Sequence, residues 1–375
     1  MEGNEFLDKL TSGKIRRRNF NKILAGAGFS LISIPLISRP GKAAVEDHPL
    51  IFTWAGYEDD GFIQNYIDKY GEAPNYTFFG DEEEAFAKIR AGFTPDISAP
   101  CSYKIPQWRD AGILAPIDTS RLSNWADCLE AVKDVPGIVV NGQRHWVCVD
   151  WAQTSITYRT DLVEIEEESW GLLWDERYAG RLSMIDSLID GVMVAAIYGG
   201  AKDPFDMTAE EVQMTKELLQ EQLPLLRFYS NDMTTVQQAL ASGEIVAGVT
   251  WNDSALWLQM DGVPVKFMNP KEGAMTWTCG FSLMADADPA KIDRAYDLLD
   301  AMLSPEAGVY EIMEWGYGHA NRKAFDLVSA EDLVARGLPP DPEDINAYLT
   351  DGIFQAPIQN EPELQMMFEE VKAGL

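Results

Sequence analysis

Residues 50–99 read LIFTWAGYEDDGFIQNYIDKYGEAPNYTFFGDEEEAFAKIRAGFTPDISA and alternate short apolar runs with amphipathic ones. Leu50–Trp54 is predicted as a strand. Asp60–Tyr70 sets Phe62, Ile63, Tyr66, Ile67 and Tyr70 at helical spacing, with Gly71 as the stop. Tyr76–Phe79 reads as a second strand and Glu82–Ala91 as a helix ended by Gly92. Asp96–Ala99 reads as a third strand, followed by a helix around Ile105–Ala111. Strands joined by crossover helices pair in parallel, so this stretch predicts an α/β fold.

The pattern continues outward. Thr208-Ala209-Glu210-Glu211 is a capping box that opens a helix towards Leu223. Ile245–Trp251 is a continuous apolar strand and Val265–Met268 another. Pro289–Leu303 carries Ile292, Tyr296, Leu299 and Met302 on one helical face. Helices are expected near 304–314, 330–336, 342–349 and 362–372. Trp277 falls in a segment that reads as turn-rich. No long linker marks a domain boundary. Two α/β lobes joined by chain crossovers leave that trace, and so does one large lobe.

With 46% hydrophobic residues over 375 positions, the chain can bury a sizeable core, which excludes wholesale disorder. Sixty acidic residues against thirty basic ones give a net charge of −30. Nucleic-acid binding needs the opposite footprint. The same balance opposes docking on anionic lipid and suits a cationic ligand. The three histidines, His48, His145 and His319, are far apart in sequence, and no HExxH or CxxC occurs. A metal site is therefore not expected, and no cofactor is implied. The four cysteines are Cys101, Cys128, Cys148 and Cys279. They leave one or two bridges open, and sequence does not pair them.

Residues 1–44 differ from the rest. They hold eight basic and three acidic residues, so the remainder carries −35. A basic start leads into the apolar run Ile23–Ile37, which contains Pro35 and is too short to span a bilayer. This is the layout of a signal peptide. Arg17-Arg18-Asn19-Phe20-Asn21-Lys22 resembles the twin-arginine export motif. The expected location is the periplasm.

No GxGxxG, GxxxxGK[ST] or GxSxG is present, so neither a nucleotide cradle nor a nucleophile elbow is expected. Aromatic residues instead gather at strand ends and turns. Trp54 and Tyr57 follow the first strand and Tyr103 the third. Trp251 ends the Ile245–Trp251 strand, and Tyr317 lies between Gly316 and Gly318. Ligands of α/β sheets bind beyond the carboxyl ends of parallel strands. Aromatic faces there suit an organic cation. Taken singly, each of these aromatics reads as well as a core residue.

The same segments resemble the periplasmic spermidine/putrescine-binding proteins, the receptors of ABC importers, collinearly over about residues 50–375. Thr53-Trp54-Ala55-Gly56-Tyr57 is similar to that family's first-strand motif, and residues 96–103 (DISAPCSY) to its third-strand segment. Ser169-Trp170 with Leu173-Trp174 and residues 270–275 (PKEGAM) also match, as does residues 303–306 (LSPE). The resemblance implies a two-lobe periplasmic binding protein fold with a hinge between the lobes. Lobe one would be 50–154 plus 280–325, and lobe two 155–279 plus 326–375. It also implies a monomer without enzymatic activity that closes on a small cationic amine and docks on a membrane permease.

Carried over position by position, the resemblance implies a ligand site of Trp54, Tyr57, Ser102, Tyr103, Asp190, Trp251, Asp253, Trp277, Cys279, Tyr317 and Gln355. Acids are sparser than the family pattern. Asp190 keeps one. Ser187, Gly56, Ser254 and Cys279 stand at positions that are acidic in one or other type of receptor, and Asp253 or Asp186 is the candidate substitute. A cage with fewer acids suits a singly charged amine, a quaternary ammonium or a zwitterion as well as a polyamine. Cys279 is either a filler or, being near the site together with Cys101, half of a bridge. An exported enzyme on the same scaffold is the reading from a different class.

Overall fold

The computed structural model describes residues 47–80 and 82–374, so the export segment read in residues 1–44 lies outside the described residues. The strands are β1 (Leu50–Thr53), β2 (Asn75–Phe78), β3 (Ile97–Ser98), the small hairpin β4 (Val139–Val140) and β5 (Gln143–Arg144), and β6 (Val147–Arg159). There follow β7 (Leu182–Met184), β8 (Leu226–Tyr229), β9 (Ala247–Trp251), β10 (Val265–Phe267), β11 (Met275–Leu283), β12 (Gly318–His319) and β13 (Ile353–Phe354). The main sheet runs β2-β1-β3-β11-β6-β9-β7-β8, with β10 and β12 also on β6 and β13 on β11.

The expected parallel pairing is found at both ends of this sheet. β1 pairs in parallel with β2 and β3, and β7 with β8 and β9. The middle departs from it, because β11 and β6 are antiparallel to each other and to their outer neighbours. Neither β6 nor β11 was expected as a strand. Trp277, read as lying in a turn-rich segment, stands within the nine-residue β11.

Two apolar cores explain why those strands are long. The first takes residues from Ile51 to Trp151 and from Phe281 to Leu349. The second takes Ile156 to Met275 and Leu364 to Val371. A smaller cluster around Val236, Leu240 and Ile245 adjoins β9. β6 gives Val147, Cys148, Val149 and Trp151 to the first core, then Ile156 and Tyr158 to the second. β11 returns the chain, with Met275 in the second core and Phe281 and Leu283 in the first. Leu333, Leu338, Ile345 and Leu349 pack in the first core, whereas the sequence reading grouped 326–375 with lobe two.

The helices that bear on the site are α1 (Gln64–Tyr70), α2 (Glu82–Arg90), α3 (Ala209–Gln222), α4 (Asn252–Met260), α5 (Ile292–Met302), α6 (Pro305–Tyr310) and α7 (Glu361–Lys372). The helix expected over Asp60–Tyr70 is interrupted. Asp60–Phe62 form a separate tight turn, and Ile63, with φ −131°, breaks the run before α1. The Thr208 capping box is formed as read, each partner satisfying a free backbone N–H at the start of α3. Ser304 caps α6 through Ala307 N at 3.2 Å, and the chain leaves α6 through a wide turn, Glu311–Trp315.

Candidate functional site

The site begins with the ladder between the two crossing strands. Trp277 stands opposite Ala152, Met275 opposite Thr154, and Cys279 opposite Asp150. On the other edge of β6, Trp251 stands opposite Thr154. Directly paired residues share a face of a sheet, so Asp150, Ala152, Thr154, Trp251, Trp277 and Cys279 share one. Trp251 and Trp277 meet edge to face with centroids 6.2 Å apart, and Trp277 meets Tyr317 in the same way at 5.0 Å. Trp315 continues the wall from Tyr317, at 6.2 Å, to Tyr57, at 6.0 Å.

Two glycines hold Tyr317 in place. Gly316 has φ 79°, a conformation that side chains with a Cβ resist. A Cβ on Gly318 would lie 2.2 Å from the Trp151 ring. Asn252, the first residue of α4, donates to Gly316 O at 2.7 Å and so ties this turn to the end of β9. Tyr103, Trp251, Trp277 and Tyr317 belong to neither of the two large cores nor to the smaller cluster. They stand between them.

Acidic groups line the same region. Asp190 is 7% exposed. Its Oδ1 accepts hydrogen bonds from Thr154 Oγ1 at 2.8 Å and Gln355 Nε2 at 3.1 Å. Ser187 Oγ accepts from Asp190 N at 3.1 Å and caps the turn Leu188–Val192 that presents the carboxylate. Burial pushes the Asp190 carboxyl up to about 6, against the pull of its three hydroxyl and amide partners. Asp253, near the start of α4, is raised to about 6 by burial as well, although Ser254 N–H, the Tyr317 hydroxyl and the Trp257 indole favour its charged form. Asp253 Oδ1 and Trp277 Nε1 are buried without a hydrogen-bond partner.

The remaining residues of the sequence reading divide. Tyr57 is buried and donates to Asp150 Oδ2 at 2.6 Å. Tyr103 is close enough to Glu82 and Asp190 for their charges to add to burial in raising its phenol, so it acts as a neutral donor. Ser102 is buried and its Oγ accepts from Thr278 Oγ1 at 2.7 Å. Trp54 donates to Ala99 O at 3.1 Å and packs on Phe79 at 4.6 Å rather than on the other cage rings. Cys279 is not a free thiol: it is bridged to Cys101, the pairing that the resemblance brought within reach. Cys128 and Cys148 are free and buried. Asp186, the other candidate substitute acid, is paired with Lys372 Nζ at 2.7 Å.

Sequence reasoning did not single out Asp150, Thr154, Glu311 or Trp315. Asp150 is 1% exposed, its Oδ1 has no hydrogen-bond partner, and burial raises it to about 7. Glu311 is 0% exposed and both its carboxylate oxygens lack partners. Burial, then the Asp150 charge, push it well above the usual carboxylate range. The available signal was an acid inside an otherwise apolar run, as in residues 146–151 (WVCVDW).

Chemically, this is a continuous wall of aromatic faces with carboxylates at its margins, a combination suited to an organic cation. Among the described residues no group of three or more His, Cys, Asp and Glu side chains is arranged to hold a metal ion.

Residues 66–336 match the protein family described as bacterial extracellular solute-binding protein. A spermidine/putrescine-binding periplasmic protein of Salmonella typhimurium is 24% identical over 336 residues, covering 88% of this chain and 92% of that protein. The putrescine-binding periplasmic protein PotF of Escherichia coli is 27% identical over 330 residues, covering 82% and 87%. Among solved structures, the spermidine/putrescine substrate-binding protein PotD of Streptococcus pneumoniae superposes with a TM-score of 0.74 at 18% identity. It covers 87% of this chain and 98% of that one. That likeness establishes the fold.

Proposed function

The chain belongs to the bacterial extracellular solute-binding proteins, and from that premise we propose that it captures a polyamine or a related small amine between its two cores and delivers it to an ABC importer. Two relatives are spermidine/putrescine- and putrescine-binding periplasmic proteins, and a solved neighbour is an ABC transporter substrate-binding protein, which supports a role in binding and transport rather than catalysis. The observation that carries the ligand class is Asp190. It is a buried carboxylate fixed by Thr154 and Gln355 beside Trp251, which stands opposite Thr154 in the ladder. A desolvated ammonium needs such a partner, or binding costs several kcal/mol.

The binding residues are Trp251, Trp277, Tyr317, Tyr103, Asp190, Asp253 and Gln355, with Tyr57 and Ser102 at the first-core side. Cys279 contributes as part of the wall through its bridge to Cys101. The two cores act as the two lobes, and β6 and β11 act as the hinge between them. On this division residues 326–349 move with lobe one, since their apolar side chains pack there, and 353–374 with lobe two. Lys104 and Glu361, 3.4 Å apart, form a contact that closure makes and opening breaks. The closed form presents a surface to the permease.

Residues 1–44 act as a twin-arginine-type export signal that delivers the protein to the periplasm, a reading supported by Arg17-Arg18 and the apolar run after them. The protein works there as a monomer without nucleic-acid partners. The ligand reading is tested by thermal melting against putrescine, spermidine, monoamines, betaines and amino acids. A ligand at 100 times its dissociation constant adds about 2.7 kcal/mol, several degrees in a protein of this size. The expected shift comes with putrescine or spermidine. A shift with neutral or anionic amino acids alone would refute the ligand class.

A further inference from the structure

Among the described residues, four carboxylate oxygens beside the aromatic site are buried without a hydrogen-bond partner: Asp253 Oδ1, whose carboxyl Tyr317 and Trp257 engage, and Asp150 Oδ1, Glu311 Oε1 and Glu311 Oε2, whose carboxyls no site residue but Tyr57 engages. Buried polar groups in folded proteins are almost always satisfied, so an unsatisfied group marks something missing. The cost is highest for a carboxylate. Among the described residues, the one side-chain hydrogen bond to the Asp150–Glu311 pair is donated by the Tyr57 hydroxyl to Asp150 Oδ2. Tyr57 touches Asp150 directly through that bond, and Trp315, at the end of the turn that begins with Glu311, packs on both Tyr57 and Tyr317, so the pair adjoins two residues of the cage, whose phenols also feel its charges.

The strand geometry relates this pair to Asp190. Asp150 and Thr154 point to the same face of β6, and four residues of strand separate them by about 14 Å. Thr154 holds Asp190. Ala152 lies between them with only a methyl group on that face, and Trp277 stands opposite Ala152. The order along the face is therefore acid, indole, acid. Cys279, opposite Asp150, is closed off by its bridge, so Asp150 is the acid at that rung.

We propose that Asp150 and Glu311 form a second cation subsite, behind Tyr57 and Tyr317, that takes the far ammonium of a ligand whose near ammonium is held at Asp190. The inference rests on the amine reading given above. The spacing favours an amine longer than a four-carbon diamine, with its carbon chain laid against Trp277. Two carboxylates in dry surroundings cannot both ionise, so the empty pair retains a proton. The incoming ammonium replaces that proton, which leaves to solvent. Tyr57, Tyr317 and the Cys148 thiol are the other titratable groups whose electrostatics involve the pair, and all three are held neutral by burial.

The test is calorimetric titration of the whole protein with butylamine, putrescine and spermidine, for wild type, Glu311→Gln and Asp150→Asn. Wild type should prefer spermidine to butylamine. Each variant should lose about tenfold or more in spermidine affinity, as expected when one partner of a buried charge contact is removed, and keep its butylamine affinity. Both variants should melt no lower than wild type, because each removes one of two buried carboxyls that compete for a single proton. Glu311→Met, similar in length and without polar atoms, serves if the amide of Gln proves disruptive. Equal losses for all three amines would assign the pair a structural role and overturn the subsite. So would a wild type that binds butylamine as tightly as spermidine, which leaves the cage reading intact. A wild type that binds none of the three would overturn the amine reading itself, and the subsite with it.

Discussion

Trp277 and Tyr317 meet edge to face with ring centroids 5.0 Å apart, although 40 residues separate them in sequence and neither belongs to a core. Trp277 comes from the strand that returns from the second core to the first, and Tyr317 from a turn pinned by two glycines. Rings that stabilise no core are available to a ligand.

Trp277→Ala should therefore weaken amine binding by more than about 1 kcal/mol, the size of a desolvated cation–aromatic contact, while the melting temperature of the ligand-free protein changes little. Trp251→Ala should act similarly. Titration of each variant against wild type checks this. Unchanged affinity in both would remove the cage argument.

Asp190→Asn keeps the size of the side chain and its contacts with Thr154 and Gln355, and removes the charge. Binding should fall by about 2–5 kcal/mol, the range for breaking a buried charge pair, with no loss of stability in the absence of ligand. A variant that binds spermidine within a factor of about two of wild type would mean that another acid receives the ammonium.

The raised carboxyls give binding a pH dependence of definite sign. Asp190 and Asp253 sit at about 6 in the folded protein, above the usual 3.8. The folded state therefore holds more protons than the unfolded state between those values, and stability contributed by Asp190 declines as pH rises from about 4 to about 6. The difference in unfolding free energy between wild type and Asp190→Asn isolates this effect. An ammonium favours the ionised form, so binding expels protons and affinity should weaken below about pH 6. Affinity that is constant from pH 8 to 5 would contradict the assignment.

The bridge between Cys101 and Cys279 spans 178 residues of sequence. Thiol titration in denaturant should find two reactive cysteines, Cys128 and Cys148, and four after reduction. Replacing both bridged cysteines by serine should lower stability by roughly 5 kcal/mol in the chain-entropy account, less if the unfolded chain retains structure. Four thiols without reduction would show that the bridge does not form.

The outer parts of the fold were legible because their signals are local. β1 to β3 alternate with helices, and Gly71 ends its helix with φ 79° as a stop residue should. β6 and β11 were not legible. Their residues include Asp150, Gln153, Thr154, Ser155, Thr157, Thr276, Thr278 and Ser282, all buried although polar. Strands that cross between two cores are covered on both faces whatever their side chains, so hydrophobic periodicity fails there. The aromatic half of the site could be read by resemblance. Asp150 stood out only as an acid in an apolar run and Glu311 not at all, since their meaning lies in buried carboxylate oxygens left without partners, and only packing reveals that.

The most direct measurement is calorimetric titration of the purified protein with spermidine near pH 7.5, with Asp190→Asn alongside. The account predicts one saturable site in wild type and a large loss of affinity in the variant. No heat of binding in wild type, or an isotherm that the variant leaves unchanged, would contradict it.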